Sequence, residues 1–106
     1  MGLTLNRLLR HTSMKTINLK IITIDEVSFN EDVTSITVPT ANGFITVLPD
    51  HIPLVSVLTA GIAVIRTIAE SGQSAGVSRF KISDGVLEIR PGNQAFLLVH
   101  SAEKVE

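Results

Sequence analysis

No cysteine, tryptophan or tyrosine occurs in this sequence, and phenylalanine, its sole aromatic, appears four times. Without cysteine there is no disulfide to staple the fold and no thiolate to hold a metal, which fits a reducing compartment. With aromatics at 4% but hydrophobic residues at 44%, the core must be assembled from Ile, Val and Leu, and branched aliphatic side chains favour strands. Long apolar runs are missing as well. A central stretch free of Asp, Glu, Lys and Arg runs from His51 to Ile65, 15 residues interrupted by Pro53 and Gly61, too short and too broken to span a bilayer, and the 17 residues from Val33 to Pro49 are likewise broken, by Pro39 and Gly43. At 106 residues the chain has room for one domain.

Charge of one sign is also missing, but only locally. The formal net charge is −1, and no Lys/Arg cluster with interleaved aromatics suggests nucleic acid as a partner. Between Ile21 and Ile65, however, there are five acids (Asp25, Glu26, Glu31, Asp32 and Asp50) and no Lys or Arg. Such a stretch is either a solvated acidic rim or a face that meets a basic partner. The opening, MGLTLNRLLRHTS, is different in character, with Arg7, Arg10 and Leu5, Leu8 and Leu9 but no acid. Residues 1–16 are expected to be a flexible extension, or Met14 the true start; an organellar leader is the other reading of an acid-free, Arg-bearing segment.

From Ile17 onward short apolar runs alternate with turn signals, the pattern of an all-β sandwich or barrel. Strands are expected near 17–23, 27–30, 33–38, 44–48, 54–58, 62–69, 77–83, 86–90 and 94–100. In SRFKIS, Phe80 and Ile82 should face one way and Arg79 and Lys81 the other. Asn42-Gly43, Asp84-Gly85 and Pro91-Gly92-Asn93 supply residues that tolerate positive φ, so residues 77–100 read as a three-strand meander. Leu48, Phe80, Leu87 and Leu98 fall on expected core positions.

Two motifs raise the possibility of chemistry. Gly72-Gln-Ser74-Ala-Gly76 matches the G-x-S-x-G nucleophile pattern, but that chemistry needs the Ser on a strand-to-helix turn of a parallel sheet, followed by an acid and a His. Here a strand follows, so a hairpin loop is the better reading and a serine hydrolase using Ser74 the alternative. The histidines at 11, 51 and 100 share no metal-ligand spacing, and neither a metal nor a cofactor is expected. In LPDHIPL, Pro49 and Pro53 each fix φ and bias the preceding residue toward extended geometry. The expected result is a stiff corner projecting Asp50 and His51 for docking, with side chains that could be removed at little cost in stability.

The order of these residues resembles a known family. ITVPTANGFITVLPDHIPLVSVLTAGIAVI, with Val33, Ile36, Val38 and Pro39, then Gly43, Val47, Leu48, Pro49, His51, Pro53 and Leu54, then Gly61, is similar to the β-sandwich domain of the ATP synthase epsilon subunit. ISDGVLEIRPGNQAFLLVHSAE resembles the family's ending through Ile82, Ser83, Gly85, Leu87, Glu88, Pro91, Asn93 and Ser101-Ala102-Glu103, and LKIITIDEVSF also fits. The resemblance covers residues 17–106. Phe44 stands where the family often has Glu and Thr46 where it often has Gly.

What the resemblance implies is a roughly ten-stranded β-sandwich in the central stalk of a proton-translocating F-type ATP synthase. Such a subunit is not itself catalytic; it links the gamma subunit to the c-ring, lies peripheral to the membrane, and couples proton flow to rotary ATP synthesis. Carried onto this sequence, c-ring contact falls on Asn42, Gly43, Phe44, Asp50 and His51, and gamma contact on Thr23, Leu54, Val55 and Ser56. The implied location is the cytoplasmic side of the bacterial inner membrane, ahead of an organellar membrane. The family's C-terminal helical hairpin does not follow the last expected strand, so coupling is expected without a brake on hydrolysis and without ATP binding. A free-standing β-sandwich adaptor outside ATP synthase is the competing interaction-module reading.

Overall fold

A computed structural model describes residues 15–67 and 76–105. Among these residues ten strands form: β1 (Ile17–Ile22), β2 (Val27–Val33), β3 (Ser35–Thr40), β4 (Gly43–Val47), β5 (Leu54–Leu58), β6 (Gly61–Arg66), β7 (Val77–Ile82), β8 (Gly85–Arg90), β9 (Gln94–Val99) and β10 (Ala102–Lys104). No helix forms among the described residues, so none is long and apolar enough to cross a membrane.

The strands arise where apolar residues alternate. In β1 Ile17, Leu19 and Ile21 are buried while Asn18, Lys20 and Ile22 look outward. The same period places Ala63 and Ile65, Phe80 and Ile82, Leu87 and Ile89, and Ala95, Leu97 and Val99 in one continuous core. Pairing runs β10-β7-β6-β3-β5-β8-β9-β1-β2, with β4 on the other edge of β3. Two five-stranded halves result, β4-β3-β6-β7-β10 and β5-β8-β9-β1-β2, joined where Thr40 pairs with Leu58. They close face to face over the aliphatic core. Phe29 of one half meets Phe80 of the other edge to face, ring centroids 5.4 Å apart at 77°.

The all-β sandwich is as expected, and the alternation of SRFKIS is present. The meander is not. β8 and β9 form the expected hairpin, with Gly92 and Asn93 at positive φ in its turn. β7, however, pairs with β6 and β10 in the opposite half, so Ser83-Asp84 is a crossing between sheets and not a hairpin turn. Gly85 has no positive φ there; it is needed for space, since a Cβ would lie 2.2 Å from the carbonyl oxygen of Leu98. The second crossing, His100-Ser101, runs beside the first. The Ser83 hydroxyl oxygen accepts from the backbone N–H groups of His100 (2.9 Å) and Ser101 (3.0 Å), binding the two crossings together.

Three further expectations change. The pattern continues past His100 into β10, which at three residues is too short to display a period. Leu48 (56% exposed) and Leu98 (40% exposed) are outside the core, whereas Phe80 and Leu87 are inside it. Leu98 misleads because β9 is apolar on both faces and its inward set is Ala95, Leu97 and Val99. The extension expected over residues 1–16 falls mostly outside the described residues, as does Ser74.

Candidate interaction surface

The sheet register divides the molecule into two ends. At one lie Lys15, Thr34, the 48–53 corner and the β8–β9 turn; at the other lie the links 23–26, 41–42, 59–60, 83–84 and 100–101. The residues expected to meet one c-ring do not gather. Asn42, Gly43 and Phe44 sit at the tip of the β3–β4 hairpin, while Asp50 and His51 follow the opposite end of β4. Four residue steps of strand separate Gly43 from Val47, roughly 13 Å at 3.3 Å each.

Local chemistry explains each position. At the tip Gly43 takes φ +107°, its carbonyl accepts from the Thr40 hydroxyl at 2.6 Å, and the Asn42 N–H donates to that same hydroxyl oxygen at 3.2 Å. Phe44 follows, 66% exposed. At the corner Asp50 takes φ +66°, and its backbone N–H donates to the Asn93 side-chain oxygen at 2.6 Å. The Asn93 amide returns a bond to the Asp50 carboxylate at 3.1 Å, and Lys15 Nζ donates to the other carboxylate oxygen at 2.8 Å. Those bonds, Lys15 first and Asn93 second, hold the Asp50 carboxyl below its ordinary range. Asp50, expected to project from a stiff corner, is 57% exposed at its side chain and is also engaged by its own chain. The His51 ring nitrogen Nδ1 lies 2.7 Å from the Ile52 carbonyl oxygen.

The expected gamma set also divides. Val55 is 69% exposed on the outer face, opposite Glu88, and Thr23 lies just past the end of β1. Leu54 packs against the core and Ser56 pairs with the buried Leu87, so both face inward.

A feature not picked out in the sequence lies between Thr23 and Val55. On the outer face of the β5-β8-β9-β1-β2 half, register aligns Val57 with Val86, Val86 with Leu98, Leu98 with Ile22, and Ile22 with Val27. These five aliphatic side chains cross every strand of the sheet, roughly 19 Å at 4.8 Å per strand. Val57 is 73% exposed and nearby Ile24 70%. One row further along, the face turns polar. Phe96 there lies beneath the Arg90 guanidinium, 4.3 Å from its ring centroid, and within 5.5 Å of Lys20 Nζ, while Arg90 pairs with Glu88 at 3.0 Å. The links at the apolar end carry Asp25, Glu26 and Asp84 and no Lys or Arg. Acids of the base-free segment are therefore split: Asp25 and Glu26 rim the apolar row, while Glu31, Asp32 and Asp50 belong to the far end.

Among the described residues no three His, Cys, Asp or Glu side chains are grouped to hold a metal. An aliphatic row, a negative rim and an exposed hairpin tip define a small β-sandwich domain with a surface suited to contact. The family described as "ATP synthase, Delta/Epsilon chain, beta-sandwich domain" matches residues 16–105, and the chain belongs to it. The ATP synthase epsilon chain of Moorella thermoacetica is 33% identical over 93 residues, 88% of this chain and 65% of that protein. That of Alkalihalophilus pseudofirmus is 34% identical over 90 residues, 85% of this chain and 62% of that protein. The chain therefore spans a little under two thirds of the length of these relatives. A chain of the Euglena gracilis mitochondrial ATP synthase (OSCP/F1/c-ring) shares the fold with a TM-score of 0.75 at 23% identity, covering 87% of this chain and 56% of that one. A chain of the Tetrahymena thermophila mitochondrial ATP synthase central stalk/c-ring assembly does so with a TM-score of 0.69 at 19% identity, covering 87% and 69%.

Proposed function

We propose that this chain is a non-catalytic central-stalk subunit of a proton-translocating F-type ATP synthase, bridging the gamma subunit and the c-ring so that proton flow drives rotation and ATP synthesis. The observation that carries this reading is the aliphatic row from Val57 to Val27 on the chain of a family whose curated relatives are ATP synthase epsilon chains. Gamma contact is assigned to that row, flanked by Thr23 and Val55, with Leu54 and Ser56 supporting β5 from behind. Burying such a row is worth roughly 25 cal/mol per Å² of apolar surface before the costs of association. Ring contact is assigned to the tip, Asn42, Gly43 and Phe44; Asp50 is given the role of bracing the opposite end, and His51 beside it is assigned neither role. The subunit is then peripheral to the membrane through the ring, on the cytoplasmic side of a bacterial inner membrane, with residues 17–106 as its sandwich domain.

The test is reconstitution. An F-type complex depleted of its epsilon chain is supplied with this chain, and proton pumping is measured alongside incorporation. Restored incorporation with pumping supports the reading. A folded chain that never enters the complex favours the free-standing adaptor.

A further inference from the structure

We propose that β4 is an open pairing edge on which a second copy of this chain adds, antiparallel and strand to strand. β4 pairs with β3 alone, and no turn or loop backbone bond among the described residues reaches its other side. Thr40 and Gly43 close the two-residue turn as a bonded pair, and bonded and non-bonded pairs alternate along an antiparallel ladder. Gly43, Ile45 and Val47 therefore bond to β3, while Phe44 and Thr46 aim their N–H and C=O groups at the open edge. Pro39, opposite Phe44, confirms the phase: it has no N–H to offer, and its carbonyl accepts from Thr59 N on the far side.

Folded proteins normally blunt such edges with charges, bulges or brevity. The other edges here are blunted. β2 carries Asn30, Glu31 and Asp32 and has an irregular register opposite Ile21 and Ile22, and β10 is three residues long with Glu103 and Lys104. β5 is uncharged, but its open side is blocked at one end by the Thr40–Leu58 junction and at the other by Pro53. Gly43 to Leu48 has no charge and no proline.

The occupant that fits is the same strand. A two-fold axis at Ile45 sets Phe44 against Thr46 of the copy, so the outward groups of both residues are satisfied at once, and sets Gly43 against Val47 of the copy. Space around Gly43 is open, with nothing within 4 Å of where a Cβ would stand. Because the segment is neutral, the copy meets no like charge, and Phe44 gains cover from the copy's Thr46. The contact is far smaller than the roughly 1,200–2,000 Å² of a stable interface, so pairing belongs to high micromolar concentrations and above. This inference does not depend on the stalk assignment. If both hold, a paired copy covers Phe44 and competes with ring contact.

The test uses the full chain in sedimentation equilibrium and amide exchange between roughly 10 µM and 1 mM. The expected result is a mass rising from 11.4 kDa toward twice that value, with exchange at Phe44 and Thr46 slowed several-fold and that at Ile45 unchanged. Thr46→Lys, and separately Phe44→Lys, should remain monomeric with the wild-type melting midpoint. A monomer throughout overturns the proposal. So do Phe44 and Thr46 amides already protected when dilute, which would mean the chain covers its own edge, or a dimer that survives both substitutions.

Discussion

Asp50 and Asn93, 43 residues apart in sequence, clamp each other: the Asp50 N–H donates to the Asn93 side-chain oxygen at 2.6 Å and the Asn93 amide donates to the Asp50 carboxylate at 3.1 Å. Both hold positive φ, +66° and +56°, and the Asn93 carbonyl accepts from Asn18 N at 2.9 Å. The proline corner, the β8–β9 turn and the start of β1 are thus fixed to one another.

Replacing Asn93 by Ala should destabilise the chain by about 1–2 kcal/mol, because it removes the acceptor of the Asp50 N–H and puts in the left-handed region a residue without the short polar side chain that suits Asn to it. At position 50 the order of melting midpoints should be Asp50→Asn, then Asp50→Gly, then Asp50→Ala, since Asn keeps an acceptor and tolerates the conformation while Ala does neither. His51→Ala should change little. Urea unfolding of the set checks the order; an Asp50→Ala protein as stable as wild type would show the clamp to be idle.

The pH dependence follows from sign. A carboxyl whose pKa is lowered in the folded state contributes stability above its unfolded value, lost as pH falls through the folded one. For Asp50 the loss falls below the ordinary carboxylate value of 3.8. The pair with Lys15 is exposed and worth little by itself. Carboxyl NMR titration should therefore place Asp50 below 3.8, and Lys15→Ala should raise it more than Asn93→Ala, Lys15 being the larger cause.

Core parity gives a sharp contrast within one strand. Leu97→Ala should cost about 2–5 kcal/mol and Leu87→Ala the same, whereas Leu98→Ala and Leu48→Ala should each cost about 1 kcal/mol or less. Equal losses at Leu97 and Leu98 would mean β9 is placed in the wrong register.

Much of this was legible because an aliphatic core without Trp or Tyr leaves alternation as the main signal. Ile17, Leu19 and Ile21, or Phe80 and Ile82, announce which side is inside. β9 does not, since AFLLV is apolar on both faces, and only pairing with Leu87 on one side and Ile21 on the other decides that Leu97 is the buried member. Asp84-Gly85 spells a hairpin locally, yet β7 finds its partners in β6 and β10, a nonlocal choice no dipeptide encodes. The same limit hid the contact surface. Val57, Val86, Leu98 and Ile22 come from four strands and become neighbours only through register, while the hairpin tip was readable from Asn42-Gly43 because a turn is local.

Gamma binding tests the account most directly. The purified chain, titrated with gamma subunit, is compared with Val57→Lys and Leu98→Lys, which put charges into the aliphatic row, and with Leu48→Lys and Ile52→Lys, exposed aliphatics away from it. Wild type and the second pair should bind alike, and the first pair should lose binding by at least tenfold while keeping the wild-type melting midpoint. Undiminished binding by folded Val57→Lys and Leu98→Lys proteins, or no binding by the wild-type chain, would contradict the account.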